Sequence, residues 1–146
     1  MRTSVVYPWC VLMSVSVAVI GCGRGNPPGT PVKGKITIDG DPLPAGTVIF
    51  EPDAQKGNIS KREFRAQIDP TNPGAYELKS DGDGVSLGWY RVAVFAIESA
   101  NRMTRPVWLA DRKYSDVKTS GLSVQIVVSP SDGAYDFDLK RGDGSQ

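Results

Sequence analysis

Side chains capable of chemistry are few in this sequence and are concentrated in a few short stretches. The only thiols are Cys10 and Cys22, Lys113–Gly121 (KYSDVKTSG) brings Lys, Ser, Thr and Tyr together, and Asp81–Gly84 (DGDG) places two carboxylates among glycines. The 146 residues contain no histidine, which removes the most common general base, metal ligand and partner of a Ser or Cys nucleophile. The composition therefore argues against most hydrolytic catalysis, and we predict no enzymatic activity.

The two polar stretches carry weaker predictions. A Ser–Lys nucleophile needs both groups within hydrogen-bond reach, and nothing in the spacing of Lys113–Gly121 requires that, so we interpret it as a solvated loop that contributes to binding. Asp81–Gly84 resembles a fragment of a calcium loop but lacks the distant Glu of that pattern. We predict an acidic turn there, with no metal and no cofactor. Asn58–Ser60 and Arg141–Asp143 match short motifs, a glycosylation sequon and an integrin tripeptide, that we attribute to chance.

Cys22 lies where an apolar segment meets a polar one rich in Gly and Pro. Val5–Ile20 is mostly apolar but shorter than the roughly 20 residues a spanning helix needs, so it is predicted to be the hydrophobic region of a secretory signal. Val19–Cys22 (VIGC) looks like a bacterial lipobox, which implies cleavage between Gly21 and Cys22 and a diacylglycerol on the Cys22 sulfur. An ordinary signal peptide and an uncleaved anchor, each with a chance cysteine, are the alternatives.

The segment after Cys22 has the composition of a tether. Residues 23–31 (GRGNPPGTP) contain no large apolar side chain, and a chain of this length spans about 25 Å when extended. We therefore divide the sequence into a signal peptide (1–21), a lipidated linker (22–31), a β-domain (32–140) and a flexible tail (141–146). The protein would be exported across the inner membrane and held in the cell envelope by acyl chains.

The balance of basic and acidic side chains limits the classes of partner that this chain is expected to bind. The chain has 17 basic and 16 acidic side chains, and removal of Arg2 with the signal leaves 16 of each. Because nucleic-acid binding depends on Lys and Arg that neutralise phosphates, no nucleic-acid partner is expected. The expected partners are the membrane, through the anchor at Cys22, and an envelope protein or glycan.

From residue 32 onward, apolar residues alternate with polar ones, and turn residues separate the runs. In Val32–Ile38 (VKGKITI), Val32, Ile36 and Ile38 share one side, and Tyr135, Phe137 and Leu139 do the same near the end of the chain. This period of two is typical of half-buried strands, and it predicts an all-β antiparallel sandwich of about seven strands. The seven segments are Val32–Ile38, Thr47–Glu51, Arg62–Ile68, Gly74–Lys79, Gly88–Ile97, Leu122–Ser129 and Ala134–Lys140.

The connection over residues 98–121 is long for a loop in a compact domain, and such loops are usually functional or partly structured. We predict that Trp108 and Leu109 attach it to the sandwich, and that residues 110–114 form a short helical turn. Trp108 and Tyr114 are the aromatic side chains proposed here for ligand binding. A helix over residues 90–103 is the alternative, but the β-branched and aromatic residues of 92–97 favour a strand.

Five segments in order resemble small bacterial lipoproteins with a carboxypeptidase-regulatory-like, transthyretin-like domain. They are Pro31–Pro52, Gly74–Leu78 (GAYEL), Gly88–Val94 (GWYRVAV), Lys113–Leu122 (KYSDVKTSGL) and Tyr135–Leu139 (YDFDL). The resemblance implies a transthyretin-like sandwich with an accessory, binding or structural role. Leu87 departs from the proline that this family often has there.

Two enzyme classes related to that fold fit poorly. Hydrolases of the transthyretin-related type rely on histidines and a C-terminal Tyr-Arg-Gly-Ser, whereas this chain has no histidine and ends in KRGDGSQ. A metallocarboxypeptidase needs a catalytic domain for which no residues remain. The alternative to a stand-alone module is a lipoprotein subunit of a larger envelope or transport complex.

Overall fold

Ten short strands and two 3-10 turns make up the regular structure of the described residues. The computed structural model describes residues 30–79, 84–98 and 107–142. The strands are β1 (Val32–Ile38), β2 (Asp41–Pro42), β3 (Thr47–Pro52), β4 (Phe64–Gln67), β5 (Ala75–Leu78), β6 (Gly88–Phe95), β7 (Ile97–Glu98), β8 (Val107–Trp108), β9 (Leu122–Ile126) and β10 (Phe137–Leu139). The 3-10 turns are Ala54–Lys56 and Arg112–Ser115. These ranges contain no α-helix, so none of their helical segments is long and apolar enough to cross a membrane.

The strands form two four-stranded sheets and a two-stranded ribbon. In the first sheet, β1 pairs with β10 along one edge and with β5 and then β2 along the other. The second sheet has the order β4–β3–β6–β9, and β7 pairs with β8 in the ribbon. Only the β1–β10 pair is parallel among the pairings of the described residues. The part of the chain that the structure describes is therefore all-β with mostly antiparallel pairing, as the alternation predicts.

The hydrophobic core takes side chains from both four-stranded sheets. Phe50 of β3 is fully buried at its centre, and its ring centroid lies 6.1 Å from that of Tyr76 in β5 and 6.3 Å from that of Phe137 in β10. Because Phe50 belongs to the second sheet and its two partners to the first, the inner faces of the sheets are in contact. The predicted inward residues Val32 and Leu139 are both completely buried.

Gly34, Tyr76 and Tyr135 lie close together and connect the first sheet to the segment before β10. Tyr76 lies opposite Gly34 in the β1–β5 pair and donates a 2.6 Å hydrogen bond from its hydroxyl to the Tyr135 carbonyl. A Cβ atom on Gly34 would lie 2.8 Å from that hydroxyl oxygen and closer still to the Tyr135 carbonyl oxygen. Glycine is therefore required at position 34, because only a bare Cα leaves room for Tyr76.

The domain has two ends that matter for function. At the end that we call the entry end, Thr30 and Val85 form an antiparallel bridge, which brings the start of β1 beside the start of β6. At the opposite end, the hairpin end, β1 turns into β2 through Asp39 and Gly40, both with positive φ. The β7–β8 ribbon follows directly from the end of β6 and lies at this hairpin end as well.

All seven predicted strand segments contain a strand, although most are shorter than predicted. The three additional strands β2, β7 and β8 have two residues each, too few for a periodic signal. The preferred strand over residues 88–97 is confirmed up to Phe95, so the alternative helix from residue 90 is wrong. Contacts also extend past the predicted bounds of the β-domain: Thr30 is bridged to Val85, and the Arg141 guanidinium lies 3.5 Å from the Asp39 carboxylate.

Candidate functional site

Trp108, the first aromatic residue predicted to bind a ligand, is part of the β7–β8 ribbon. It pairs with Ile97 and is partly buried. The next residue, Leu109, donates a 2.9 Å backbone hydrogen bond to Ala96, which fastens the segment to the end of β6. The guanidinium of Arg112 lies 5.0 Å from the centroid of the Trp108 ring, a cation–π distance. Trp108 therefore attaches the connection, as predicted, and one face of its ring is covered by a cation.

Tyr114, the second predicted binding residue, belongs to the core. Only 6% of its surface is exposed, and its hydroxyl oxygen accepts a 3.3 Å hydrogen bond from the Lys140 backbone N–H. Tyr114 lies in the 3-10 turn Arg112–Ser115, close to the predicted helical turn, and the Asp111 carboxylate caps that turn by accepting from the Lys113 N–H. The structure thus corrects the view of Tyr114 as a stacking surface, because packing and capping place its ring inside the domain.

The hydroxyl groups of Lys113–Gly121 bond to the backbone. Ser115 donates to the Arg112 carbonyl at 2.7 Å, Thr119 donates to the Lys113 carbonyl at 2.7 Å, and Ser120 donates to the Val92 carbonyl at 2.6 Å. Ser120 is buried, and it accepts the Leu122 N–H as well. The bonds of Ser115 and Thr119 stay within the connection and brace it, whereas the bond of Ser120 to Val92 fixes its returning half on β6.

Several residues singled out in the sequence lie outside the described part of the chain. They are Gly21, Cys22, three of the four residues of Asp81–Gly84, and Asp143. Within residues 30–79, 84–98 and 107–142, no three His, Cys, Asp or Glu side chains are grouped so that they could hold a metal ion. Asn58 of the sequon is buried, and its amide donates a 2.9 Å hydrogen bond to the Trp89 carbonyl.

An open groove of about 730 Å³ lies on the β1–β5 side of the first sheet. The sequence does not reveal it, because it depends on which strands pair. The register places Lys33 opposite Glu77, with 3.3 Å between the ammonium nitrogen and a carboxylate oxygen, and the Lys35 backbone N–H donates to the Asp136 carboxylate at 2.7 Å. The only sign of this groove in the sequence is the Lys and Glu residues that alternate along these strands. Charged residues along the groove are Lys33, Lys35, Asp69, Glu77, Lys79 and Asp136.

Local contacts shift the pKa of two groups at this groove, Asp69 and Tyr76. Hydrogen bonds from the hydroxyl and backbone N–H of Thr71, at 2.6 and 2.8 Å, lower the pKa of Asp69 and keep it charged. Burial, reinforced by the charge of Asp136, raises the pKa of Tyr76 far above its usual value, so its hydroxyl stays neutral. The groove therefore offers three ammonium groups and three carboxylates, which suits a polar ligand of mixed charge more than an anion or a cation.

No family model, curated protein or solved structure significantly matches this chain. The functional argument therefore depends on the sequence patterns and on the geometry of the domain.

Proposed function

We propose that this chain is a lipid-anchored, non-enzymatic module of the bacterial cell envelope. The observation that carries the proposal is the sequence Val19–Cys22 (VIGC). The Thr30–Val85 bridge, with backbone hydrogen bonds of 3.3 and 3.4 Å, supports it because Thr30 lies only a few residues beyond Cys22. Among the described residues the first pairing is at Thr30, and the seven residues 23–29 separate Thr30 from Cys22 in the sequence. A lipid on Cys22 would hold the β-domain within about 25 Å of the membrane surface.

The fold proposed for the domain is a transthyretin-like β-sandwich of the carboxypeptidase-regulatory-like kind. The aromatic contacts of Phe50 with Tyr76 and Phe137 support it, because they join the inner faces of two sheets. The order of the five resembling segments supports it too. Such modules serve binding or structural roles, and a fold of this kind does not specify an activity.

The binding surface proposed for this module is the mixed-charge groove along β1 and β5. Its charges are close in space and opposite in sign, which favours an envelope protein or a glycan with hydroxyl and charged groups over a purely anionic ligand. Trp108 at the hairpin end, with one ring face covered by Arg112, is a secondary contact for such a partner.

The anchor is tested by intact mass spectrometry and N-terminal sequencing of the protein purified from its native membranes. We expect a mature chain that begins at Cys22 and carries fatty acids, as labelling with palmitate would show. Cys22→Ser should abolish both cleavage at Gly21 and labelling, whereas Cys10→Ser, the matched control, should change neither because Cys10 leaves with the signal. A native protein that keeps Met1, or whose Cys22 is unmodified, would refute the proposal.

The second candidate function is a lipoprotein subunit of a larger envelope or transport complex, and the extent of the groove favours it. Photo-crosslinking from Glu77 in intact cells, with Gln125 on the second sheet as the control position, separates the candidates. A single protein product from Glu77 that is absent from Gln125 supports the subunit. Glycan adducts, or no adducts, support the stand-alone module.

A further inference from the structure

Exposed hydrophobic side chains are unevenly distributed over the domain. The described residues include four large hydrophobic side chains with high exposure: Ile59 at 87%, Val128 at 72%, Val107 at 57% and Leu87 at 42%. Val107 lies alone in the ribbon at the hairpin end. The other three come from three separate segments of the chain and all lie at the entry end.

The contacts of β6 place these three residues at the same end of the domain. Leu87 immediately precedes β6, and Gly88, the first residue of β6, pairs with Ile126 two positions before Val128. The buried Asn58 donates to the Trp89 carbonyl at 2.9 Å, which holds the neighbouring Ile59 beside the same strand end. We call Ile59, Leu87 and Val128 the entry patch.

The entry patch adjoins the point where the tether joins the domain. Thr30 bridges to Val85, and Val85 precedes Leu87 by only two residues. Since the seven residues after Cys22 span about 25 Å at most when extended, a lipid on Cys22 would keep this end nearer the bilayer than any other part of the domain. The patch can therefore reach the membrane with less extension of the tether than any other surface of the domain would need.

We propose that the entry patch docks on the bilayer surface, with Ile59, Leu87 and Val128 inserted among the lipid headgroups. This inference rests on the proposed lipid anchor. Three apolar side chains bind a bilayer only weakly by themselves, but a short tether makes docking intramolecular, so a weak contact is sufficient. A docked domain would direct its hairpin end away from the membrane.

Charge at the entry end predicts which bilayers are bound. The basic residues Lys56, Lys61 and Arg62 follow β3, and the acidic residues Asp53 and Glu63 lie in the same stretch of chain. The Lys56 ammonium is also engaged, 2.8 Å from the Ser123 hydroxyl oxygen and 4.2 Å from the centroid of the Trp89 ring. Docking should therefore be driven by apolar contact and should change little between zwitterionic and anionic phospholipids.

Two tryptophans of the chain can report how close each end of the domain lies to the bilayer. With the signal removed, the only tryptophans are Trp89, two residues beyond Leu87, and Trp108 at the opposite end. The lipidated protein is reconstituted into phosphatidylcholine vesicles whose acyl chains carry bromine, a short-range quencher of indole fluorescence. Trp108→Phe leaves Trp89 as the reporter of the entry end, and Trp89→Phe leaves Trp108. We expect quenching of Trp89 to exceed that of Trp108 by about twofold or more.

Substitutions in the patch should remove this difference. In the Trp108→Phe background, Leu87→Ser together with Val128→Ser should reduce quenching of Trp89 to the level of Trp108. Val107→Ser, the matched control at the hairpin end, should change nothing. Ile59→Ser provides a variant that cannot disturb folding, because 87% of Ile59 is already exposed, and it should lower quenching on its own.

The outcomes separate this inference from the anchor. A protein with lipid on Cys22 whose two tryptophans are quenched equally would overturn the docking and leave the anchor intact. A discrete protein crosslinked from the patch, with no difference in quenching, would assign the patch to a protein partner and overturn docking as well. A Cys22 without lipid would overturn both proposals.

Discussion

At the scale of single residues, the tight packing of Tyr76 against Gly34 leaves the least freedom to change a side chain in this domain. The tyrosine hydroxyl donates to the Tyr135 carbonyl, and its oxygen lies 2.8 Å from where a Cβ on Gly34 would be. This arrangement joins β5, β1 and the segment before β10 through one buried contact. Glycine beneath an aromatic residue on a neighbouring strand is a recurrent way to pack a sheet.

Gly34→Ala should destabilise the domain strongly. The added methyl would overlap the Tyr135 carbonyl oxygen and the Tyr76 hydroxyl, so overpacking and loss of a buried hydrogen bond should together cost about 2–4 kcal/mol. Urea unfolding measures the change. Lys35→Ala on the exposed face of the same strand is the control and should stay within about 0.5 kcal/mol. Equal midpoints for the two variants would contradict the packing argument.

A second residue-scale prediction concerns Asp138 beside the β1–β2 turn. Its carboxylate accepts from Lys140, from the Thr37 hydroxyl and from the Gly40 N–H, and these contacts lower its pKa to about 2. Because the folded-state pKa lies below the ordinary value of 3.8, the carboxylate stabilises the fold above about pH 4, and this contribution disappears as the pH falls towards 2.

Asp138→Asn should therefore lower the urea midpoint at pH 6 and reduce its dependence on pH between 4 and 2. Asp69, whose pKa is also lowered, contributes to the same pH window, so Asp69→Asn and the double variant are measured in parallel. An Asp138→Asn midpoint that falls as steeply with acid as that of the parent would show that the contacts of Asp138 do not stabilise the fold.

At the scale of elements, the long strands were predictable and the short ones were not. β1 and β6 have 7 and 8 residues, enough for alternation and β-branched content to be visible. β7 and β8 exist only because Ile97 and Trp108 pair across the long connection, and a two-residue ribbon leaves no periodic trace in a sequence. The burial of Tyr114 was missed for a related reason, since a loop tyrosine reads as exposed until its contact with Lys140 is known.

Ser120 makes a testable contribution to the position of that connection. Its buried hydroxyl donates to the Val92 carbonyl and accepts from the Leu122 N–H. Ser120→Ala would leave two backbone groups without a side-chain partner, so it should cost about 1–3 kcal/mol and speed amide hydrogen exchange in residues 107–121. Lys118→Ala is the control because Lys118 is exposed and only its backbone N–H, which the substitution keeps, makes a hydrogen bond. Unchanged exchange in the Ser120 variant would show that other contacts hold the segment.

At the scale of the whole molecule, the site was less predictable than the fold. Each charged residue of the groove is visible in the sequence. The pairing of Lys33 with Glu77, however, depends on strand register, and the contact of Asp136 with Lys35 joins residues about a hundred positions apart in the chain. The entry patch has the same origin, since Ile59, Leu87 and Val128 come from distant segments. Local patterns specify which face of a strand is buried, whereas surface sites require the complete topology.

The contact between the two sheets decides whether the domain unfolds as one unit. Phe50 contacts Tyr76 and Phe137 of the first sheet and Tyr90 of its own, so Phe50→Ala would open a cavity between the sheets and should cost about 3–5 kcal/mol. In the mature chain with Trp108→Phe, Trp89 fluorescence reports the second sheet and far-ultraviolet circular dichroism reports all strands, and both midpoints should fall together. Ile59→Ala at the exposed entry patch is the control and should leave both midpoints in place. Separate transitions for the two signals in the Phe50 variant would show that the sheets are stabilised independently and that the core contact does not unite them.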